Sequence, residues 1–276
     1  MAKYNSNWVR KYYDEYGEKE WERWDRSPVE QIKFEVHLYY LRKYLQASDR
    51  ILEIGAGAGR FTQELARIST NIVVADISPV QLQLNRKNAQ KLAFSESIED
   101  WVECDMCDLQ QHFREEEFDA VVCYGGPLSY VFDEKEKSIQ ELLRVTRPGG
   151  LFFLGVMSIW GSVHHLLPWV LEVPPDINRE IIASGDLEPN KVADSHHFCH
   201  MFRATELQNF LEKSSVIIEV LSASDCLSAT WSEHLKSVRE NRETWQYLLE
   251  MELEACREPG CLDMGTHLIA VCRKPI

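Results

Sequence analysis

Glu53-Ile54-Gly55-Ala56-Gly57-Ala58-Gly59-Arg60, written EIGAGAGR, decides the fold. It carries a short apolar strand pattern, Arg50 to Ile54, into a helical one, Phe61 to Arg67. Glycines at such a junction let the backbone turn tightly and approach a ligand closely. The helix beyond offers free N–H groups and the positive end of its dipole. A dinucleotide fingerprint GxGxxG starting at Gly55 needs glycine at 60, and Arg60 stands there instead. The loop therefore indicates a nucleotide-type fold without choosing the ligand.

The flanking chain repeats the pattern. Asn71 to Asp76 reads as a second strand ending in an acid. Ser78-Pro79 is an N-cap and first-turn proline, opening a helix to about Lys91. Trp101 to Asp105 is a third strand and Phe118 to Tyr124 a fourth, broken by Gly125-Gly126-Pro127. A helix, Lys135 to Arg144, and the turn Arg147 to Gly150 lead to a fifth strand, Leu151 to Val156. Alternating strands and helices predict a parallel α/β sheet. Thr205 to Lys213 is a helix, Ser215 to Leu221 a sixth strand, and 232–256 one long helix. No helix follows the last strand, Thr266 to Arg273, so it is free to pair antiparallel.

Two segments lie outside this alternation. Residues 7–25 predict one amphipathic helix rich in aromatics, with Trp8, Tyr12, Tyr13, Tyr16, Trp21 and Trp24. A second helix covers 29–46. Residues 158–203 hold Trp160, His164, His165 and Trp169 and leave the carboxyl end of strand five, the edge where α/β proteins bind ligands. The expected organisation is an aromatic helical lid over 1–46, an α/β core over 47–157, a cap over 158–203 and the rest of the core over 204–276.

Composition narrows the partners. The chain has 276 residues, 45% hydrophobic, and a net charge of −14. Such a surface repels phosphate backbones, and no basic patch offsets it, so nucleic acid is not expected. The N-terminus lacks an apolar signal region, and the longest apolar run, Leu151 to Met157, is too short to span a bilayer. No membrane partner is expected. Eight scattered cysteines in a chain with an ample core are expected to be reduced thiols of a cytoplasmic protein. Cys104-x-x-Cys107 has no second pair at zinc spacing, and no metal is expected.

Three acids sharpen the glycine loop. Asp76, ending strand two, stands where a nucleoside-binding fold holds ribose hydroxyls. Asp105, ending strand three, can accept from an exocyclic amine, and Glu53 beside the loop can hold a cationic amino group. Three carboxylates without a basic phosphate clamp suit an adenosyl ligand bearing an amino acid.

EIGAGAGRF, VVADISPVQL, ECDMCDL, FDAVVCYGGPLSYV and LLRVTRPGGLFFLGV together resemble the class I S-adenosylmethionine-dependent methyltransferases. The resemblance covers roughly residues 48–157 well and the remainder loosely. It implies a Rossmann-like seven-stranded, mostly parallel sheet with an antiparallel last strand. It implies S-adenosylmethionine as cofactor and S-adenosylhomocysteine as product. By that likeness Gly55, Ala56, Gly57 and Gly59 wrap the methionine portion near Glu53. Asp76 with Ile77 takes the ribose, and Asp105 with Met106 flanks the adenine. Cys123 and Tyr124 lie by the sulfonium, with Tyr124 also a candidate catalytic group. The aromatic helix, Tyr13 included, is similar to the lids that small-molecule methyltransferases fold over the donor.

Strand four ends Cys123-Tyr124-Gly125-Gly126-Pro127, unlike the Asn/Asp-Pro-Pro-Tyr/Phe of many nucleobase N-methylating relatives. With the acidic charge, this favours a small-molecule acceptor methylated at O, N or S. A protein or RNA acceptor stays open, as do non-methyl chemistry on the same donor and a binding domain without catalysis. Such an acceptor needs a proton acceptor, and Ser195-His196-His197-Phe198-Cys199-His200-Met201-Phe202 supplies histidines. Strand alternation puts His197, Cys199 and Met201 on one face, and His196, Phe198, His200 and Phe202 on the other. That splits a three-histidine metal site. His200 is the first candidate base and His197 the second. Nothing in the chain sets an oligomeric state.

Overall fold

The computed structural model describes residues 2–192 and 197–276. Its strands are β1 (Arg50–Ile54), β2 (Asn71–Asp76), β3 (Ile98–Glu103), β4 (Phe118–Cys123), β5 (Thr146–Met157), β6 (Asp186–Leu187), β7 (Cys199–His200), β8 (Ile217–Ala223) and β9 (His267–Arg273). Seven of them form one sheet in the order β3-β2-β1-β4-β5-β9-β8, and β6 pairs with β7 separately. β1 to β5 run parallel. β9 lies antiparallel between β5 and β8. The order reverses between β1 and β4, so the loops after these strands part there and leave a crevice.

The helices are α1 (Ser6–Tyr16), α2 (Lys19–Glu22), α3 (Pro28–Tyr44), α4 (Arg60–Leu65), α5 (Pro79–Lys91), α6 (Pro127–Tyr130), α7 (Lys135–Val145), α8 (Ile159–His165), α9 (Leu167–Val170), α10 (Pro175–Ser184), α11 (Ala204–Lys213), α12 (Ser232–Glu240) and α13 (Arg242–Ala255). The central strands are apolar throughout because helices cover both sheet faces. Leu52, Val121, Cys123 and Phe152 pack on one side with Leu142 of α7 and Leu207 of α11. Ile51, Val122, Tyr124 and Phe153 pack on the other with Val36 of α3 and Leu65 of α4.

β5 starts at Thr146, taking in the expected turn at Arg147 to Gly150, and four other expected boundaries move for a local reason. The helix over 7–25 breaks at Gly17, whose φ of +55° ends α1, and α2 and a 3₁₀ turn at Arg23–Asp25 follow. The helix over 232–256 breaks at Asn241, whose side chain accepts the Thr244 N–H and caps α13. β3 lies three residues earlier than expected, and the chain has left it by Asp105, whose side chain caps the next turn through the Cys107 N–H. β8 starts only after Ser215, held at φ +59°.

The cap leaves and rejoins the sheet at one point. Phe202 N–H donates to Met157 O at 2.8 Å, and Ile159 N–H donates to Phe202 O at 3.1 Å. Residues 158–203 are thereby pinned at both ends over the carboxyl tip of β5.

Candidate active site

The crevice between the β1 and β4 loops is a pocket of about 610 Å³ including its mouth. Its floor comes from strand ends: Ile54, Gly55 and Gly57 after β1, Asp76 and Ile77 after β2, Asp105 and Met106 after β3, Gly125 and Pro127 after β4. Gly55 has φ +67°, and a Cβ there would sit 2.3 Å from Pro127 Cγ, so the two loops touch only because residue 55 has no side chain. Gly57 has φ +54°, and its missing Cβ would meet Glu20 Cγ at 3.1 Å. The segment after α1 therefore lies directly over the glycine loop.

The acids behave differently from one another. Asp76 is buried and accepts the N–H groups of Gly57 and Ser78, each at 2.8 Å. Burial raises its carboxyl to about 6, against those two hydrogen bonds, with Glu20 and Asp14 adding to the rise. Asp105 lines the pocket and accepts the Tyr4 hydroxyl at 2.7 Å. Glu53 does not line it. Its carboxyl is buried, accepts the Thr62 hydroxyl at 2.6 Å, and is raised by burial to about 8, so as placed it is not free to hold an amino group.

Cys123 and Tyr124 also differ from expectation. Alternation along β4 sends their side chains into the two cores, Cys123 to one face and Tyr124 to the other. Burial pushes the Cys123 thiol up to about 12. The Tyr124 ring packs on His37 at 4.7 Å, and its hydroxyl is buried without a partner. Neither side chain lines the pocket, which at this edge is walled by Gly125. Ala56 and Gly59 do not line this pocket: Ala56 faces a smaller one with Phe61 and Tyr124, and Gly59 sits against the Asn85 amide.

A second, larger cavity of about 1740 Å³ including its mouth opens beside the first. The two share Tyr13, Glu20 and Tyr130 as a common wall. Apolar side chains of the cap, among them Leu166, Trp169, Val173 and Ile181, form one side. Its polar groups include Glu20, Arg23, Arg26, Glu30, Lys33, His197 and His267. Tyr12, Tyr13 and Tyr16 of the aromatic helix line it, whereas Trp8 is 47% exposed and Trp24 is buried against Phe34 and Phe61.

The histidine stretch is a strand only at Cys199–His200, yet among its described residues the alternation holds. His197, Cys199 and Met201 face the cavity, and Phe202 enters the core. His200, the first candidate base, lines neither cavity. Its Nδ1 lies 2.6 Å from Asp186 and its Nε2 2.9 Å from Glu206. Burial works to lower its pKa, but the two carboxylates outweigh it and raise it. With both nitrogens engaged, His200 has none left to take a substrate proton. His197 has a Tyr12 hydroxyl 3.4 Å from Nδ1. Burial, then Arg23, lowers it to about 4, so it is neutral at pH 7. His196 lies outside the described residues.

Reading the chain alone missed Tyr4, Glu20, Arg23, Lys33, Tyr130 and His267. Arg23 and Lys33 carried no signal, being ordinary charges on helical patterns. Among the described residues one trio with ligand atoms within 4.8 Å could hold a metal: Cys226, Glu252 and Cys256, distant in sequence from the stretch first considered. Glu252 already accepts the N–H groups of Cys226 and Ser228.

The fold and pocket define a nucleoside-binding α/β protein. Its smaller pocket has carboxylates after β2 and β3 and, among the described residues, no lysine or arginine in its wall, which fits an adenosyl amino acid and not a diphosphate. Residues 52–154 match the family model described as a methyltransferase domain. A demethylmenaquinone methyltransferase of Clavibacter sepedonicus is 38% identical over 104 residues, 38% of this chain and 39% of that protein's length. A tRNA 5-carboxymethoxyuridine methyltransferase of Escherichia coli O157:H7 is 21% identical over 226 residues, 82% of this chain and 80% of that one. A chain of a complex containing the Haloferax volcanii Trm112 methyltransferase activator shares the fold, with TM-score 0.63 at 16% identity, covering 97% of this chain and 98% of that one. Residues 52–154 thus carry a methyltransferase domain of the class I S-adenosylmethionine-dependent kind. No described helix is long and apolar enough to cross a membrane.

Proposed function

We propose that the protein transfers a methyl group from S-adenosylmethionine to an O, N or S nucleophile of a small molecule seated in the larger cavity. The observation that carries this reading is the wall of Tyr13, Glu20 and Tyr130 common to both cavities. A donor in one and an acceptor in the other would meet there. S-adenosylmethionine, when bound, supplies a methyl group on an electrophilic sulfonium. Asp76 and Asp105 would hold the ribose and the adenine amine, and the Gly55–Gly57 backbone would follow the methionine portion. The faces of Tyr13 and Tyr130 and the Glu20 carboxyl would favour the cation at the junction. Helix α1, with Tyr12, Tyr13 and Tyr16, would act as the lid that excludes water.

His197 is the proton acceptor we favour over His200. It lines the cavity, and its ring contacts Tyr130 of the shared wall at 5.9 Å. Its neutral state leaves a nitrogen able to take a proton from the acceptor. We place the enzyme in the cytoplasm on the strength of its eight free thiols.

The test is methyl-labelled donor with a metabolite extract and, separately, total RNA, followed by mass spectrometry of labelled products. Label in a small molecule is expected. The tRNA relative makes RNA the rival acceptor, and label confined to RNA would replace our reading. His197→Ala is expected to lower kcat by roughly 100-fold or more while leaving S-adenosylhomocysteine affinity unchanged. Undiminished kcat would remove His197 from the chemistry.

A further inference from the structure

The larger cavity holds an uneven set of charges. Arg23, Arg26 and Lys33 face Glu20 and Glu30, one cation in excess. Lys33 Nζ is spent on Glu30 at 2.8 Å, and Arg26 Nη2 donates to Lys19 O at 2.8 Å. Arg23 is different. Its Nη1 lies 3.4 Å from Glu20 Oε1, while its Nη2 is sealed from solvent with no hydrogen-bond partner. Among the described residues lining this cavity, only one other buried side-chain polar atom lacks a partner, His267 Nε2. Thr266 Oγ1 is 3.2 Å from His267 Nδ1, and a hydroxyl donating there leaves Nε2–H as a second unpaired donor. An unmet buried donor is destabilising, and more so when charged. A guanidinium fork matches a carboxylate with two parallel hydrogen bonds.

We propose that the acceptor is an amphiphilic carboxylate, its acid group bound by Arg23 with help from His267 and its apolar body under the cap. This rests on the reading of the larger cavity as the acceptor site. The apolar side chains of α8 to α10 would cover the body, and the cavity's enclosed space of about 600 Å³ falls within the 300–1,000 Å³ or so usual for small ligands. The bound carboxylate is a handle and would neutralise the excess charge. Positive potential in the cavity is also felt by its neighbours, since Arg23 adds to burial in holding His37 and His197 near 4.

The test titrates the protein, with and without S-adenosylhomocysteine, against decanoate, 1-decanol and decylamine by calorimetry below their aggregation limits. Decanoate is expected to bind at least tenfold tighter than decanol, and decylamine more weakly than either. Arg23→Met should bring decanoate down to the affinity of decanol while decanol and S-adenosylhomocysteine binding stay within threefold. Wild-type protein that binds decanol as tightly as decanoate, or prefers decylamine, overturns the proposal. So does an Arg23→Met variant that keeps both the preference and its fold. Failure of S-adenosylhomocysteine to bind, with the decanoate preference intact, would sink the methyl-transfer reading and leave the anion site standing.

Discussion

Asp76 shows how one side chain ties structure to function. Its strand-end position was readable from VVADISP, but its titration was not, because burial and the nearby Glu20 and Asp14 are tertiary facts. Its carboxyl is raised from 3.8 to about 6, so folding disfavours the ionised form. This group's contribution to stability therefore falls as pH rises from 3.8 to about 6. Ribose hydroxyls bound as we propose would, by contrast, donate to the ionised form. S-adenosylhomocysteine affinity is expected to rise with pH through 6 and to be about tenfold weaker at pH 5 than at 7.5. Asp76→Ala should weaken binding at least about tenfold at pH 7.5, the cost of losing hydrogen bonds to a charged group. Calorimetry across pH checks both, and a flat profile in the native protein would remove Asp76 as the ribose acceptor.

At the scale of elements, the β6–β7 hairpin turns the histidine stretch into a joint. His200 on β7 faces Asp186 on β6 and Glu206 on α11, and Lys135 of α7 reaches Glu206 at 3.5 Å. Asp186 also accepts the Ala2 N–H at 2.9 Å, so the N-terminal strand of chain that carries Tyr4 is tied to the same point. His200→Ala is expected to cost about 3 kcal/mol, the low end for breaking a buried charge pair, because Glu206 keeps partial solvent contact. Denaturant or thermal unfolding measures it, and an unchanged midpoint would refute the role. The raised His200 contributes most below 6.5 and loses its contribution as pH rises through its folded pKa. Asp186 and Glu206, held low, contribute above their unfolded values and lose that as pH falls. Stability from this joint should therefore peak in mildly acidic solution.

At the scale of the molecule, the donor pocket is closed by parts distant in sequence: Tyr4 and Tyr13, the strand ends, and Tyr130. Binding there should stabilise the whole fold. S-adenosylhomocysteine at 100 times its Kd should add about 2.7 kcal/mol, read as a rise in the unfolding midpoint that Asp76→Ala diminishes at equal ligand. No rise would contradict a donor site built from these elements. The sheet, the glycine loop, Asp76, Asp105 and the antiparallel last strand were all legible, because each depends on local pattern: apolar runs, strand-end acids and glycines at tight turns. Even the separation of His197 from His200 followed from the two-residue period of a strand. The sequence could not say which face met the cavity, and so it ranked His200 above His197. Nor could it show that Cys123 and Tyr124 end in two cores, that Gly17 breaks the aromatic helix, or that Arg23 is left with an unpaired donor. Those outcomes depend on which distant side chains pack together and which carboxylates remain to share. Local sequence determined the backbone course and the glycine-loop motif; tertiary packing alone decided which charged groups face the larger cavity and in what protonation state.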